Sequence, residues 1–306
     1  MLNGAEHPFA ASLLIVDLKP QKARLNYRFF MPRGVSDTMD EKSSPGPTGV
    51  SLNGEKPAAG GHEIAWAEVI PPDQWALYKR AIQGVRQAGI PFLIGGGFGL
   101  AGYTGRWRNT KDMDLYVLPS EQKRMIEVLT KSGFDDYYST RPYDRGWIYR
   151  SHREGIIVDV IWSMANRRAE VDSVFFQRAT TLAVRDEKLQ LVPPEELLWC
   201  KLYVFQRDHC DWTDVMNLIY AVGPQLDWEH VLHRLGPDLP VLKSILTLFA
   251  WLSPARAAQL PASLRQRLGL DSEPIVSREE EIARIRLLDT RAWFAALQPR
   301  DKVLEV

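Results

Sequence analysis

The stretch that decides the fold runs from Pro91-Phe92-Leu93-Ile94 into Gly95-Gly96-Gly97 and on through Arg106, Arg108, Thr110 and Lys111 to Asp112-Met113-Asp114-Leu115. The apolar run 91–94 reads as a short buried strand that ends directly on three glycines. Consecutive glycines let the backbone approach a ligand closely, and their N–H groups can form an anion nest. A helix beginning near Phe98 would add its positive end to the same place. Taken alone, the glycines also fit a plain strand-to-helix turn. The next strand, Met113 to Leu118, carries Asp112 and Asp114 two residues apart at its entry, so both carboxylates share one face. Two carboxylates aimed at one point repel each other unless a cation or a shared proton intervenes. Oxygen donors with open positions suit Mg²⁺ or Mn²⁺.

Further along, Asp159 stands inside the otherwise apolar run Ile156-Ile157-Val158-Asp159-Val160-Ile161-Trp162. A carboxylate there must be paired, hydrogen-bonded or metal-bound unless it lies on an exposed strand face, because burying it alone is costly. In the functional reading it takes a proton from an attacking hydroxyl or ligates the metal.

Around these residues the pattern predicts a helix from Pro71-Pro72-Asp73 to Gly89 and another over Ser120 to Ser132, capped by Ser120 and ended by Gly133. Strands are expected at 134–140, 146–152 and 156–162, too close together for crossover helices, and further short ones at 181–184 and 189–192. After Pro193-Pro194 the chain reads as helices at 194–207, 211–222, 227–235, 239–252 and 277–297. The fold class is therefore α+β. Its expected parts are a flexible N-terminal arm or linker over 1–64, a mixed-sheet catalytic domain over 65–192, and an all-α C-terminal domain over 193–306.

The glycine turn, Arg108-Asn109-Thr110-Lys111-Asp112-Met113-Asp114-Leu115 and the lone strand aspartate together resemble the DNA polymerase β-like nucleotidyltransferase superfamily, and within it AbiEii-type and related bacterial transferases. The resemblance covers roughly Pro91 to Tyr220. It implies transfer of a nucleoside monophosphate from an NTP to an acceptor hydroxyl with release of pyrophosphate, using two Mg²⁺ (or Mn²⁺) ions on Asp112, Asp114 and Asp159. It further implies nucleotide contacts from Gly95, Gly96, Gly97, Arg108, Thr110, Lys111 and Lys201. A helical Lys/Arg/Asp set typical of such proteins is matched loosely by Lys201, Arg207, Asp208, Asp211 and Asp214. By residue pattern alone, Lys201 could also snorkel from an apolar helix face, and Arg207 with Asp211 could be an ordinary intrahelical pair.

Bulk properties narrow the class without choosing a substrate. The chain has 306 residues, 45% hydrophobic and 25% charged, enough for a sizeable core. Lys plus Arg (38) equals Asp plus Glu (38), so overall charge gives no argument for gripping long nucleic acid. A transfer RNA or another macromolecule stays open as acceptor, as does a protein partner. Two cysteines, no secretory pattern and no apolar run of the ~18 residues that span a bilayer lead to the expectation of a cytoplasmic protein without a membrane. Gly97-Phe98-Gly99-Leu100-Ala101-Gly102 also matches a dinucleotide fingerprint, but the acidic pair begins its strand instead of ending it. The remaining rival is a catalytically silent NTP-binding or toxin–antitoxin interaction module of the same fold. Glu229, His230 and His233 share one predicted helix and read as a solvated face before they read as a metal site.

Overall fold

The structure, a computed structural model, describes residues 65–107, 110, 112–207, 209–270, 274–289 and 293–294. The expected arm over 1–64 lies outside the described residues, and so do Arg108, Lys111 and Asp208.

Helix α1 (Pro72–Gln87) opens on Pro71-Pro72, which suits a first helical turn, and buries Trp75, Tyr78, Ala81, Ile82 and Val85 on one face. Strand β1 (Leu93–Ile94) follows, then α2 (Gly96–Thr104) and β2 (Asp112–Tyr116). Helix α3 (Gln122–Lys131) is preceded by a single 3₁₀ turn over Pro119–Glu121. Ser120 lies within that turn, and the N-cap position falls on Glu121 without a side-chain cap, which corrects the expected Ser120 cap. Strand β3 shrinks to Asp135–Asp136, because the Asp136 carboxylate accepts the Tyr138 N–H (2.9 Å) and turns the chain. Strands β4 (Ile148–Arg153) and β5 (Ile156–Ile161) form a hairpin about Glu154-Gly155, whose φ values of 52° and 78° suit a tight two-residue hairpin turn.

A short helix α4 (Ser173–Gln177), capped by Asp172, leads to the hairpin β6 (Thr180–Val184) and β7 (Glu187–Leu191). The seven strands make one mixed sheet in the order β3-β4-β5-β2-β1-β7-β6. Strand β2 runs parallel to β5 and β1 parallel to β7, while the other pairs are antiparallel. The rear face buries Met113, Leu115, Val158 and Val160 on the side of α1 and α3, whose Ile82, Val85, Met125 and Leu129 are equally buried.

The front of the sheet is built differently. Helix α2 is buried from Phe98 to Thr104 and touches β2, α5 (Pro194–Leu202) and α6 (Trp212–Val222). The glycines of the dinucleotide-like pattern serve this packing: a Cβ at Gly99 would press on Leu197, and one at Gly102 would meet Leu191. A mixed sheet with antiparallel edges removes the dinucleotide reading. The helices then continue as α7 (Trp228–Leu235), α8 (Leu239–Leu252), α9 (Pro254–Ala257), α10 (Ala262–Leu268) and α11 (Arg278–Leu288). The fold class is α+β, as the sequence predicts.

Three helical expectations need correction. Helix α11 stops at Leu288, not 297. Helix α5 stops at Leu202, not 207, and the chain folds back so that Phe205 bridges Cys210 in a tiny hairpin. Arg207 and Asp211 are therefore not an intrahelical pair. Trp228–Leu252 is long and apolar enough to cross a membrane by length and composition, which the sequence reading missed. Gly236, at φ +51°, breaks that stretch into α7 and α8, which bury Val231, Leu235, Leu242, Ile245 and Phe249 in the core.

Candidate functional site

The glycine turn is set by what stands behind it. Gly96 adopts φ +50°, and a Cβ there would collide with the Asp114 carboxylate; a Cβ at Gly95 would strike the Tyr116 ring. Only glycine fits both the backbone and the space at Gly96. The chain can thus begin α2 against the aspartate strand, bringing the helix N-terminus to the carboxylates. The Gly95 N–H donates to the Asp114 carbonyl (3.0 Å), which fastens the turn to β2. Thr110 is anchored from α1, since Gln74 Nε2 donates to its carbonyl (2.7 Å), and the Thr110 hydroxyl donates to Asp112 Oδ1.

Register brings the carboxylates together. Asp114 pairs with Asp159 across the parallel β2–β5 ladder, and Asp159 pairs with Arg150 across the β4–β5 hairpin. Directly paired residues share a sheet face, so Asp112, Asp114, Asp159 and Arg150 all present to the front. Arg150 grips Asp159 from the side: Nε donates to Oδ1 (2.9 Å) and Oδ2 (3.2 Å), and Nη2 donates to Oδ2 (2.6 Å). Asp159 is almost wholly buried, while the arginine side chain is about one-third exposed to the cleft.

Among the described residues, three carboxylates face one guanidinium in contact and the more distant Lys201 ammonium, which leaves the site over-supplied with negative charge. Burial, then Asp159 and Asp112, push the Asp114 carboxyl up to about 8. Burial also raises Asp159, and Arg150 offsets only part of that rise. Such a site holds a proton or a cation. Among the described residues no three His, Cys, Asp or Glu side chains stand as a ready-made cation cage, and the bidentate Arg150 on Asp159 is a physical reason. The donor chemistry nevertheless fits a divalent cation: oxygen ligands, excess charge and an open side.

These groups floor a cleft of about 410 Å³ that Trp147, Met164, Tyr203 and His209 also line. Gly96, Gly97, Thr110 and Lys201 line it too. Lys201 is buried, with Nζ donating to Asp211 Oδ2 (2.8 Å) and Asp214 Oδ2 (2.9 Å). Burial pulls its pKa down, but Asp214 and Asp211 outweigh burial and the ammonium is held charged. It braces α5 to α6, so neither snorkelling nor a free cation describes it. A larger groove of about 520 Å³ beside α3 and β4 holds the Arg145–Asp136 pair but no converging carboxylates, so the smaller cleft is the candidate site. His230 meets Glu196 (2.5 Å) instead of joining Glu229 and His233 around a metal.

Of the residues singled out from sequence, the structure gathers Gly96, Gly97, Thr110, Asp112, Asp114, Asp159 and Lys201 in this cleft. Gly95 stands behind it against Tyr116. Arg150 was missed, and counting outward from the Glu154-Gly155 turn would have found it opposite Asp159. Tyr203 and His209 carried no local signal, since they reach the cleft through the break after α5.

Comparison with known proteins agrees with this geometry at the level of the family. No curated protein matches the chain. Among solved structures it is similar to the antibiotic-resistance factor ANT(2'')-Ia, at 15% identity over 64% of this chain and 94% of that one, TM-score 0.35. It is similar to the lincosamide antibiotic adenylyltransferase LnuA with lincomycin bound, at 15% identity over 49% and 96%, TM-score 0.35. It is also similar to an antigenic nucleotidyltransferase-like protein from Paracoccidioides brasiliensis, at 20% identity over 57% and 92%, TM-score 0.32. Likenesses this distant decide nothing about acceptor or mechanism. A family described as uncharacterised nucleotidyltransferase matches residues 74–252, from α1 through the carboxylate strands to the end of α8, and the chain belongs to that family.

Proposed function

We propose that this nucleotidyltransferase moves a nucleoside monophosphate from an NTP to an acceptor hydroxyl and releases pyrophosphate, with a pair of divalent cations, Mg²⁺ or Mn²⁺, held by Asp112, Asp114 and Asp159. The observation that carries the reading is the registered trio of carboxylates on β2 and β5, facing the start of α2 and left under-neutralised by Lys201 and Arg150 among the described residues. Cations bound there would neutralise the triphosphate and lower the pKa of the acceptor hydroxyl.

The chain's own residues supply the rest. Gly96, Gly97 and the N-terminal turn of α2 offer N–H groups to the phosphates. Gly95 and Thr110 hold that turn and the Asp112 carboxylate in place. Arg108, Lys111 and Lys201 complete the proposed nucleotide contacts, Lys201 as the brace of the opposite wall. Asp159 is the proposed proton acceptor for the attacking hydroxyl. Most of the rate enhancement on this reading comes from positioning and electrostatics. The division into a catalytic unit over 65–192 and a helical unit over 193–306 belongs to the proposal, as do the cytoplasmic location and the AbiEii-type likeness carried by Lys201, Arg207, Asp208, Asp211 and Asp214.

The test combines labelled NTPs, Mg²⁺ or Mn²⁺ and a cell lysate, and asks whether label enters RNA, protein or small molecules. Replacing Asp112→Ala together with Asp114→Ala should lower transfer by at least about 1,000-fold, since the cation site goes with them. Transfer that persists in the folded double variant overturns the assignment. The Arg150 grip on Asp159 favours one alternative, an NTP-binding module whose third carboxylate serves structure. NTP binding without pyrophosphate release on any acceptor would choose that module, acting alone or with a protein partner.

A further inference from the structure

We infer that Arg150 is a positioning residue that competes with the catalytic cation for Asp159 and hands the carboxylate over when the nucleotide arrives. The inference rests on the proposed cation site and goes beyond it by making the site's assembly conditional on the substrate.

Both Asp159 oxygens are engaged, by Nε and Nη2 of one guanidinium. A cation that takes Asp159 as a ligand must therefore displace at least one charge-assisted hydrogen bond and accept a second positive charge nearby. Among the described residues Asp112 and Asp114 carry no such guard: Asp112 receives the neutral Thr110 hydroxyl, and Asp114 lies against Gly96. The trio is thus two open carboxylates and one defended one.

The defender has somewhere to go. Asp159 is fixed in the sheet and almost wholly buried, whereas the Arg150 side chain is about one-third exposed and lines the cleft. Its guanidinium sits on the face shared by Asp112 and Asp114, where a triphosphate brought by the cations would lie. Phosphate oxygens accept the same planar fork that Asp159 now accepts. Displaced from Asp159, the arginine exchanges a carboxylate for a phosphate with little loss of hydrogen bonding. Without nucleotide the exchange has no partner, and Asp159 stays closed to the cation. Cation and nucleotide then bind with positive cooperativity that runs through one side chain.

The experiment measures Mn²⁺ affinity by electron paramagnetic resonance at pH 8, without and with a non-hydrolysable NTP analogue. It compares the wild-type chain with Arg150→Met, Arg150→Lys and Asp159→Asn, and near-ultraviolet circular dichroism checks folding. Without nucleotide, R150M should bind Mn²⁺ about 10-fold more tightly than wild type, with R150K in between, and the gain should vanish in the D159N background. The analogue should bind R150M more weakly. Unchanged or weaker Mn²⁺ binding in R150M, or in R150K if R150M does not fold, overturns the inference, as does a gain that survives in D159N. Loss of Mn²⁺ binding in D112N with D114N tests the cation site itself, so the two readings fail separately.

Discussion

The cleft has two charged walls, and they have settled their charge in opposite ways. On the helical wall, Lys201 reaches Asp211 and Asp214 at once, and both bonds are of ordinary length. On the sheet wall, Arg150 bonds to one carboxylate of three, and Asp114 is left with its carboxyl pushed up to about 8. A cation shared between two buried acids gives a brace. A cation spent on one acid among three leaves a site that still asks for charge. Buried ionic groups mark function here less by being charged than by being incompletely satisfied.

The contrast breaks first at Lys201. Lys201→Met should cost about 3–5 kcal/mol in denaturant unfolding, because it leaves two buried carboxylates without their cation. If the variant keeps its stability and loses only NTP affinity, the lysine contacts nucleotide without bracing the helices, and the two walls are alike. The sheet wall is probed next through the turn that supports it. Gly96→Ala should lose about 1–3 kcal/mol, having both a positive φ and a collision with Asp114 to relieve, and its NTP affinity should drop in the same preparation. Wild-type stability and binding in G96A would mean that the turn yields easily and does not set the carboxylate.

The last probe is the pH dependence of the cation-free protein, whose effect is spread over several pH units. The folded Asp114 keeps its proton up to about pH 8, while the unfolded chain releases it near the ordinary aspartate value of 3.8. Between those values the folded state binds more protons, so stability should fall as pH rises, by at most about 1.4 kcal/mol per pH unit for this group. Asp159, raised in the same direction, adds to the slope. Thermal melts from pH 4 to 8 in a chelator should show the decline, and Asp114→Asn should flatten it. A melting temperature that climbs across this range in the wild type would mean the carboxylates are better neutralised than the geometry indicates.

Much of the sheet wall could be read from the sequence because its logic is local. Alternation puts Asp112 and Asp114 on one face, and an aspartate in an apolar run announces a partner. The mixed sheet followed from strands too closely spaced for crossover helices. The partner itself, Arg150, was hidden because hairpin register depends on the turn, and strand edges placed a residue or two off obscure the pairing. The helical wall was less legible. A helix continued through 211 would send Lys201 and Asp211 along a single axis. Instead the chain turns after Leu202, with Phe205 half-stacked on Trp212 (4.5 Å between ring centres), and brings α6 back against α5. No periodicity encodes that reversal, because it is fixed by tertiary packing. The Ser120 cap failed for a related reason: Pro119 starts a 3₁₀ turn and shifts the helix start past the serine.

The closeness of Gly96 to Asp114 has a consequence for how such sequences can drift. The two positions are eighteen residues apart in the chain yet claim the same volume, so a side chain at the first is admissible only if the second shrinks or moves. They behave as a single heritable character. A descendant that gains a side chain at position 96 has in the same step put its carboxylate at 114 under pressure to disappear, and it would pass on the fold without the chemistry.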